Sequence, residues 1–183
     1  GEGGMARVFG AELFGPAGFR KQVAIKVIKS EMVGPSDDGE AAAFIREARL
    51  GGLLKHPNIV DVYELGEHDD HVFMAMELVD GLSLKELLKL GQPPVDVALE
   101  IALEICHGLA HVHGTTPGPK RGAVVHGDLK PANLLVGWDG SVKVADFGAA
   151  RVIAGARTVP SGSSWATPAY MSPEQAQGEA LDA

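Results

Sequence analysis

Cysteine, aromatic residues and excess positive charge are all scarce in this sequence. Cys106 is the single cysteine among 183 residues. One cysteine excludes an intramolecular disulfide framework and a four-cysteine zinc site. Its place beside Ile105, in an apolar helical run, predicts a buried thiol. Lys and Arg number 16 against 24 Asp and Glu, a net charge of −8. The basic footprint of a nucleic-acid or anionic-membrane partner is therefore missing. A nucleotide is not excluded, because it needs only a local anion site. No uninterrupted apolar run is long enough to span a bilayer, and no signal peptide is visible. Any membrane attachment is expected from regions outside these residues.

What remains is an ordinary core-forming balance, 45% apolar and 22% charged. No internal repeat or low-complexity tract stands out. Residues Ala6 to Phe14 and Gln22 to Ile28 read as strands joined by Gly15-Pro16-Ala17-Gly18. A polar loop, Ser30 to Asp38, leads to a helix over Glu40 to Leu54 carrying Phe44, Ala48 and Leu50. Ile59 to Leu65 and His71 to Leu78 read as strands around an acidic turn. That turn, Glu67 to Asp70, has too few oxygens for a calcium site. Beyond Asp80-Gly81 the pattern becomes helical. Ser83 caps a short helix through Lys89. A longer helix follows over Val95 to Val112, with Val95, Leu99, Ala102, Ile105, Leu109 and Val112 as its inward stripe. Trp138-Asp139-Gly140-Ser141 reads as a hairpin turn between Leu134–Val136 and Val142–Val144. Asp146 to Ala183 reads as loop. The expected organisation is a strand-rich unit over 1–79 and a helical unit over 80–183, with a ligand cleft between them.

Four segments carry chemistry. Gly1-Glu2-Gly3-Gly4-Met5-Ala6-Arg7-Val8 is glycine-rich, which lets backbone N–H groups approach phosphates. Lys26, within the apolar Val23-Ala24-Ile25-Lys26, requires an anionic partner if buried. Glu47 on the next helix is a candidate for it. His126-Gly127-Asp128-Leu129-Lys130-Pro131-Ala132-Asn133 places Asp, Lys and Asn within six residues between apolar flanks. That set suits orienting a hydroxyl, balancing phosphate charge and holding a metal. Asp146-Phe147-Gly148 begins thirteen residues after Asn133, at a strand end where a carboxylate can meet a hard cation.

In this order the segments resemble the catalytic domain of eukaryotic-type serine/threonine protein kinases, from Gly1 to Glu174, with bacterial-like wording near Gly1–Val8 and Met171–Ala176. The resemblance implies an α+β bilobal fold: an antiparallel-sheet lobe with one helix, then a mainly helical lobe. It also implies truncation at both ends of the domain. It implies that ATP is bound beneath Gly1, Gly3 and Val8, with Val8, Ala24 and Leu135 around the adenine. Met76 would be the gatekeeper, and Glu77 and Val79 the hinge contacts. Lys26 would hold the α- and β-phosphates and pair with Glu47. Asp128 would take the substrate hydroxyl proton, and Lys130 would steady the γ-phosphate. Asn133 and Asp146 would hold Mg²⁺. Thr158, Ser161, Ser163, Ser164 and Thr167 would belong to the activation segment, which Ser172-Pro173-Glu174 closes. The implied partners are protein substrates with Ser or Thr acceptors, in the cytoplasm.

Three positions depart from the family pattern. Ala6 replaces a loop glycine, at a modest expected cost. Gly127 stands where an arginine usually binds a phosphorylated activation-segment residue, so activity is expected not to need that contact. Arg151 and Arg157 are candidate substitutes. Gly51 lacks the bulky side chain that usually stacks with Val62, Phe147 and His126. Either a void is left there or another residue fills it; a loosely held helix is expected, one that Gly51→Leu should steady.

Two rival readings concern function. A small-molecule kinase of the aminoglycoside-phosphotransferase kind also suits His126-Gly127-Asp128 and Asn133. The glycine loop, His56-Pro57-Asn58 and Ser172-Pro173-Glu174 oppose it. A pseudokinase scaffold is opposed by the joint presence of Lys26, Glu47, Asp128, Asn133 and Asp146. His107, His111 and His113 lack the glutamate of a metalloprotease helix and read as ordinary histidines.

Overall fold

The computed structural model describes residues 2–3, 6–29, 40–115, 123–153, 167–179 and 181–182. Its first part is a five-stranded antiparallel sheet in the order β1-β2-β3-β5-β4, built from β1 (Glu2–Gly3), β2 (Ala6–Phe14), β3 (Arg20–Lys29), β4 (Val62–His68) and β5 (His71–Glu77). β2 and β3 pair from Arg7 opposite Val27 to Phe14 opposite Arg20, with Val8 opposite Lys26. The turn between them uses Gly18 at φ +78°, a region that glycine enters at little cost.

One helix, α1 (Glu40–Leu53), packs on this sheet. Phe44 and Ala48 are buried with Ile28 and Met74, while Leu50 faces a second core. The same inward stripe carries Glu47, which is 5% exposed. A charge so placed demands a partner, and its position opposite β3 decides which one.

Of the two alternatives at Gly51, the structure has the second: another residue fills the space, and the benefit expected of Gly51→Leu does not follow. A Cβ built there would lie 2.4 Å from Val62 Cγ2. Val62 already occupies the space, and Gly51 is what lets α1 sit so close to β4. Adding a leucine would overpack the site rather than fill it.

Helical structure dominates the second part: α2 (Leu84–Leu90), α3 (Val95–Gly114) and α4 (Pro173–Gln177). Ser83 caps α2 through a full capping box with Glu86, as its sequence suggests. Short strands intervene. β6 (Gly81–Ser83), β8 (Leu134–Gly137) and β9 (Val142–Val144) form a small sheet. β7 (Ala123–Val125) pairs with β10 (Arg151–Ile153). The hairpin turn between β8 and β9 falls where Trp138–Ser141 predicts it. The architecture is α+β, a sheet with one helix followed by a mainly helical region.

Three expectations need correction. The tail from Asp146 is not all loop, because β10 and α4 form in it. α4 carries the capping box Ser172-Pro173-Glu174-Gln175, a start signal present in the sequence. The inward face of α3 is Ile101, Gly108 and Val112, with Ile105 half-buried. Val95 and Leu99 from the expected stripe are 77% and 65% exposed. α3 is apolar on more than one side, so periodicity alone does not choose its packed face. Gly108 chooses it, because only a residue without a side chain lets Asn58 approach: a Cβ there would sit 2.9 Å from the Asn58 carbonyl oxygen. Cys106 lies away from that face and is exposed, not buried.

Asn58 links the two parts. It is buried, and its Nδ2 donates to Glu104 Oε2 at 2.5 Å and to the Val142 carbonyl at 2.9 Å. Its own carbonyl accepts from Val144 N at 2.9 Å, and Val60 N donates to Val144 O at 3.0 Å. The segment after α1 is thereby tied to α3 and β9.

Candidate functional site

Lys26 reaches from β3 to its expected partner Glu47 and also to Asp146. Its Nζ lies 2.6 Å from Glu47 Oε2 and 3.3 Å from Asp146 Oδ1. Burial alone would lower the Lys26 pKa, but the charges of Glu47 and Asp146 outweigh it and raise it. Lys26 is therefore an ammonium. Burial pushes Glu47 up to about 7, against the pull of Lys26 and with the repulsion of Asp146. The soft point of the pair is protonation of the carboxylate. Asp146, whose side chain is 45% exposed, is crowded enough for desolvation to act upward, but the Lys26 ammonium more than offsets that and holds its carboxyl below the usual value.

Asp146 sits at φ 66°, ψ 72°, a left-handed conformation uncommon for a non-glycine residue. Phe147 anchors the turn. It is 3% exposed, lies in the core beside Leu54 and Val144, and its ring centroid is 4.8 Å from that of His126. Burial keeps His126 neutral by lowering its pKa. Its Nε2 faces the Ala145 carbonyl at 3.1 Å, and its Nδ1 accepts from Asp128 N at 3.3 Å. One tautomer, protonated at Nε2, satisfies both bonds.

The loop from His126 to Asn133 is braced internally. Asn133 Nδ2 donates to the Asp128 carbonyl at 2.9 Å, and Asn133 O accepts from Ala145 N at 2.9 Å. The chain just before Asp146 is thus fastened to the loop holding Asp128. Lys130 Nζ donates to Asp128 Oδ2 and, at 2.8 Å, to Thr167 Oγ1. Thr167 N donates to Asp128 Oδ1 at 2.9 Å. The structure therefore brings Asp128, Lys130, Asn133 and Thr167 into one cluster. Lys26, Glu47 and Asp146 form a second cluster, joined to it through Ala145.

Of the residues expected around adenine, Val8, Ala24 and Met76 lie on the interior strands β2, β3 and β5 of the five-stranded sheet, and Leu135 lies on β8 of the small sheet. Ala24 is buried and pairs with Met76; Val8 and Leu135 are half-buried. Glu77 N donates to Asp61 O at 2.8 Å. Val79 is half-buried just beyond β5. Gly3 is placed in β1. Gly1, Arg157, Thr158, Ser161, Ser163 and Ser164 lie outside the described residues.

Two residues escaped the sequence reading. Lys143 on β9 contacts Glu77 Oε1 at 3.0 Å and the Pro57 carbonyl at 2.9 Å. Its signal was the one used for Lys26, a lysine between apolar strand residues. Gln175 on α4 donates from Nε2 to the Gly127 carbonyl at 2.7 Å. Its signal was the unread capping box.

The donor set suits a hard cation. Asp146 and Asn133 offer oxygens only, and among the described residues no group of three His, Cys, Asp or Glu side chains gathers to hold a metal. A cation held by such oxygens would be a hard one. No helix among the described residues is long and apolar enough to cross a membrane.

The family model described as "protein kinase domain" matches residues 1–183. The serine/threonine-protein kinase PrkC of Bacillus subtilis is 37% identical over 180 residues, covering 97% of this chain and 26% of its own. A probable serine/threonine-protein kinase PknB of Lactococcus lactis is 40% identical over 182 residues, 97% of this chain and 27% of its own. The tyrosine-protein kinase MasK of Myxococcus xanthus is 35% identical over 187 residues, 99% of this chain and 29% of its own. The chain spans about a quarter of the length of the curated relatives it matches.

Proposed function

This chain belongs to the protein kinase domain family, and from that premise we propose that it transfers the γ-phosphoryl group of ATP to serine or threonine hydroxyls of proteins. The observation that carries the proposal is the cluster of Asp128, Lys130 and Thr167. A backbone N–H and an ammonium converge on one carboxylate beside the paired Lys26 and Glu47. In that reading the acceptor oxygen bonds to the γ-phosphorus as the bond to the β–γ bridging oxygen breaks. ADP leaves, and Asp128 takes the hydroxyl proton. Catalysis of this kind rests on positioning and charge compensation.

Each side chain then has a role. Lys26, fixed by Glu47, presents its ammonium to the α- and β-phosphates, and Lys130 presents its own to the γ-phosphate. Asn133 and Asp146 would hold a magnesium ion, which would neutralise phosphate charge when bound. Val8, Ala24 and Leu135 enclose the adenine, with Met76 behind it. The N–H of Glu77 is committed to Asp61, so the adenine contacts fall to its carbonyl and to the backbone of Val79. Gly1 and Gly3 belong to the loop over the phosphates. Thr167 supports the serine/threonine class, and the boundary between the two lobes lies near Val79. The nucleotide implies a cytoplasmic location. The printed names of PrkC and PknB support the acceptor class.

The test is transfer of label from γ-labelled ATP, with Mg²⁺, to a generic basic protein, with Asp128→Asn as control. Label on serine or threonine that is lost in the control supports the proposal. Label on tyrosine alone would replace its acceptor class. ATP binding without transfer would favour a scaffold.

A further inference from the structure

We infer that Gln175 is a positioning residue that fastens the segment 167–177 to the catalytic loop through an uncharged hydrogen bond. The inference rests on the kinase reading above, in which Asp128 takes the proton of the acceptor hydroxyl and Thr167 supports the acceptor class.

The side-chain amide of Gln175 is used at both ends. Its Oε1 accepts from Ser172 N at 3.0 Å, and Ser172 Oγ accepts from Gln175 N at 3.3 Å, which closes the capping box of α4. Its Nε2 donates to Gly127 O at 2.7 Å. The bond is short and well inside hydrogen-bonding range. One residue thus caps the start of the segment's helix and binds it to the residue preceding Asp128.

The other end of the segment is bound one residue further along the same loop. Thr167 N donates to Asp128 Oδ1, and Thr167 Oγ1 accepts from Lys130. Between the two bonds run Pro168 and a 3₁₀ turn closed by Tyr170 N to Thr167 O at 2.9 Å, then Pro173 at the first turn of α4. Proline fixes φ at both places and removes freedom that the two end bonds would otherwise have to restrain. A stiff span held at each end presents a fixed surface beside Asp128.

Gly127 has no side chain with which to bind a phosphate. Its contribution here is its carbonyl, and the bond that carbonyl accepts involves no ionised group. The hold on the segment at this point is therefore independent of charge and of phosphorylation.

Glutamine and glutamate differ in the property that matters. Either closes a capping box. Only glutamine donates to Gly127 O; a carboxylate there would face the carbonyl with acceptors alone. Gln175→Glu therefore separates the docking bond from the helix cap, and Gln175→Ala removes both.

The experiment compares wild type, Gln175→Glu and Gln175→Ala in the full-length protein, by steady-state kinetics and by amide hydrogen exchange. Losing one neutral bond predicts a fall in kcat/KM for a basic protein acceptor of about fivefold in Gln175→Glu, with KM for ATP unchanged. The Ser172 amide should stay protected in that variant, while the Thr167 amide exchanges faster. Equal acceptor kinetics and equal Thr167 protection in wild type and Gln175→Glu would overturn the inference. So would loss in Gln175→Ala alone, which would make the residue only a cap. If wild type transfers no label, the kinase reading fails, and the exchange of Thr167 still decides whether Gln175 holds the segment.

Discussion

Lys143 Nζ lies 3.0 Å from Glu77 Oε1, with both side chains mostly buried. The pair spans from β9 to the end of β5, where the chain leaves the sheet. Glu77 is held a second time by Asp61 N, which donates to Oε2 at 3.2 Å, and Lys143 a second time by the Pro57 carbonyl. Removing either partner strands the other. Lys143→Met and Glu77→Gln should each destabilise the fold. A double-mutant cycle in urea should show coupling of about 1 kcal/mol, the scale of a partly buried charged hydrogen bond. Additive effects would mean that the contact contributes nothing.

The Lys26–Glu47 pair predicts opposite pH trends for activity and stability. The folded-state pKa of Glu47 is raised from 4.5 to about 7. As pH falls through about 7, Glu47 takes up a proton, Lys26 is left with Asp146 as its charged partner, and transfer should decline. The fold binds that proton more tightly than the unfolded chain does, so on this group's account stability rises as pH drops from about 7 towards 4.5. His126 acts the other way. Its pKa is lowered from 6.5, so its contribution is present above 6.5 and is lost as pH falls through and below that value. The difference between wild type and Glu47→Gln isolates the glutamate. A stability difference that stays flat from about pH 8 to about pH 5 would remove the argument.

Gly127 and Gly140 provide a matched pair. Their φ angles are +81° and +84°. A Cβ at Gly127 would lie 2.8 Å from the Ala149 carbonyl oxygen, whereas one at Gly140 meets nothing within 4 Å. Gly140→Ala should cost about 1–2 kcal/mol for the left-handed backbone alone. Gly127→Ala should cost more, because backbone must also shift. Thermal or urea unfolding of the two variants ranks them, and equal losses would contradict the crowding.

Gly51→Leu should lower stability by about 1–3 kcal/mol, the range for overpacking. Val62→Ala in the same chain should recover part of that loss by clearing the contact. An increase in stability from Gly51→Leu alone would show that Val62 yields more easily than its position implies.

Much of this site was legible in the sequence because its chemistry is unusual locally. A lysine inside Val23-Ala24-Ile25-Lys26 and three polar groups between apolar strands announce themselves without a fold. Glu47 was legible as an acid on the helix after Lys26, and its pairing as what the family resemblance implies; its burial on the inward stripe is a finding of the structure. What stayed hidden depended on which surfaces meet. α3 offers more than one apolar face, and only its contact with Asn58 at Gly108 selects among them. The absence of a side chain at Gly51 reads equally as a void or as space filled by another residue until Val62 is seen across it. Lys143 and Gln175 were hidden for another reason. Their partners, Glu77 and Gly127, are 66 and 48 residues away in the chain, and no local pattern pairs them.

The buried amide of Asn58 has a consequence for how the molecule comes apart. It sits between α1 and β4, yet its bonds run to Glu104 on α3 and to the backbone of β9. The sheet cannot loosen at that end without breaking them, and α3 cannot leave without exposing them. Segments joined in this way open together. Heating should therefore melt the strand-rich and helical parts in one cooperative transition, and Asn58→Ala should be the change that splits it into two.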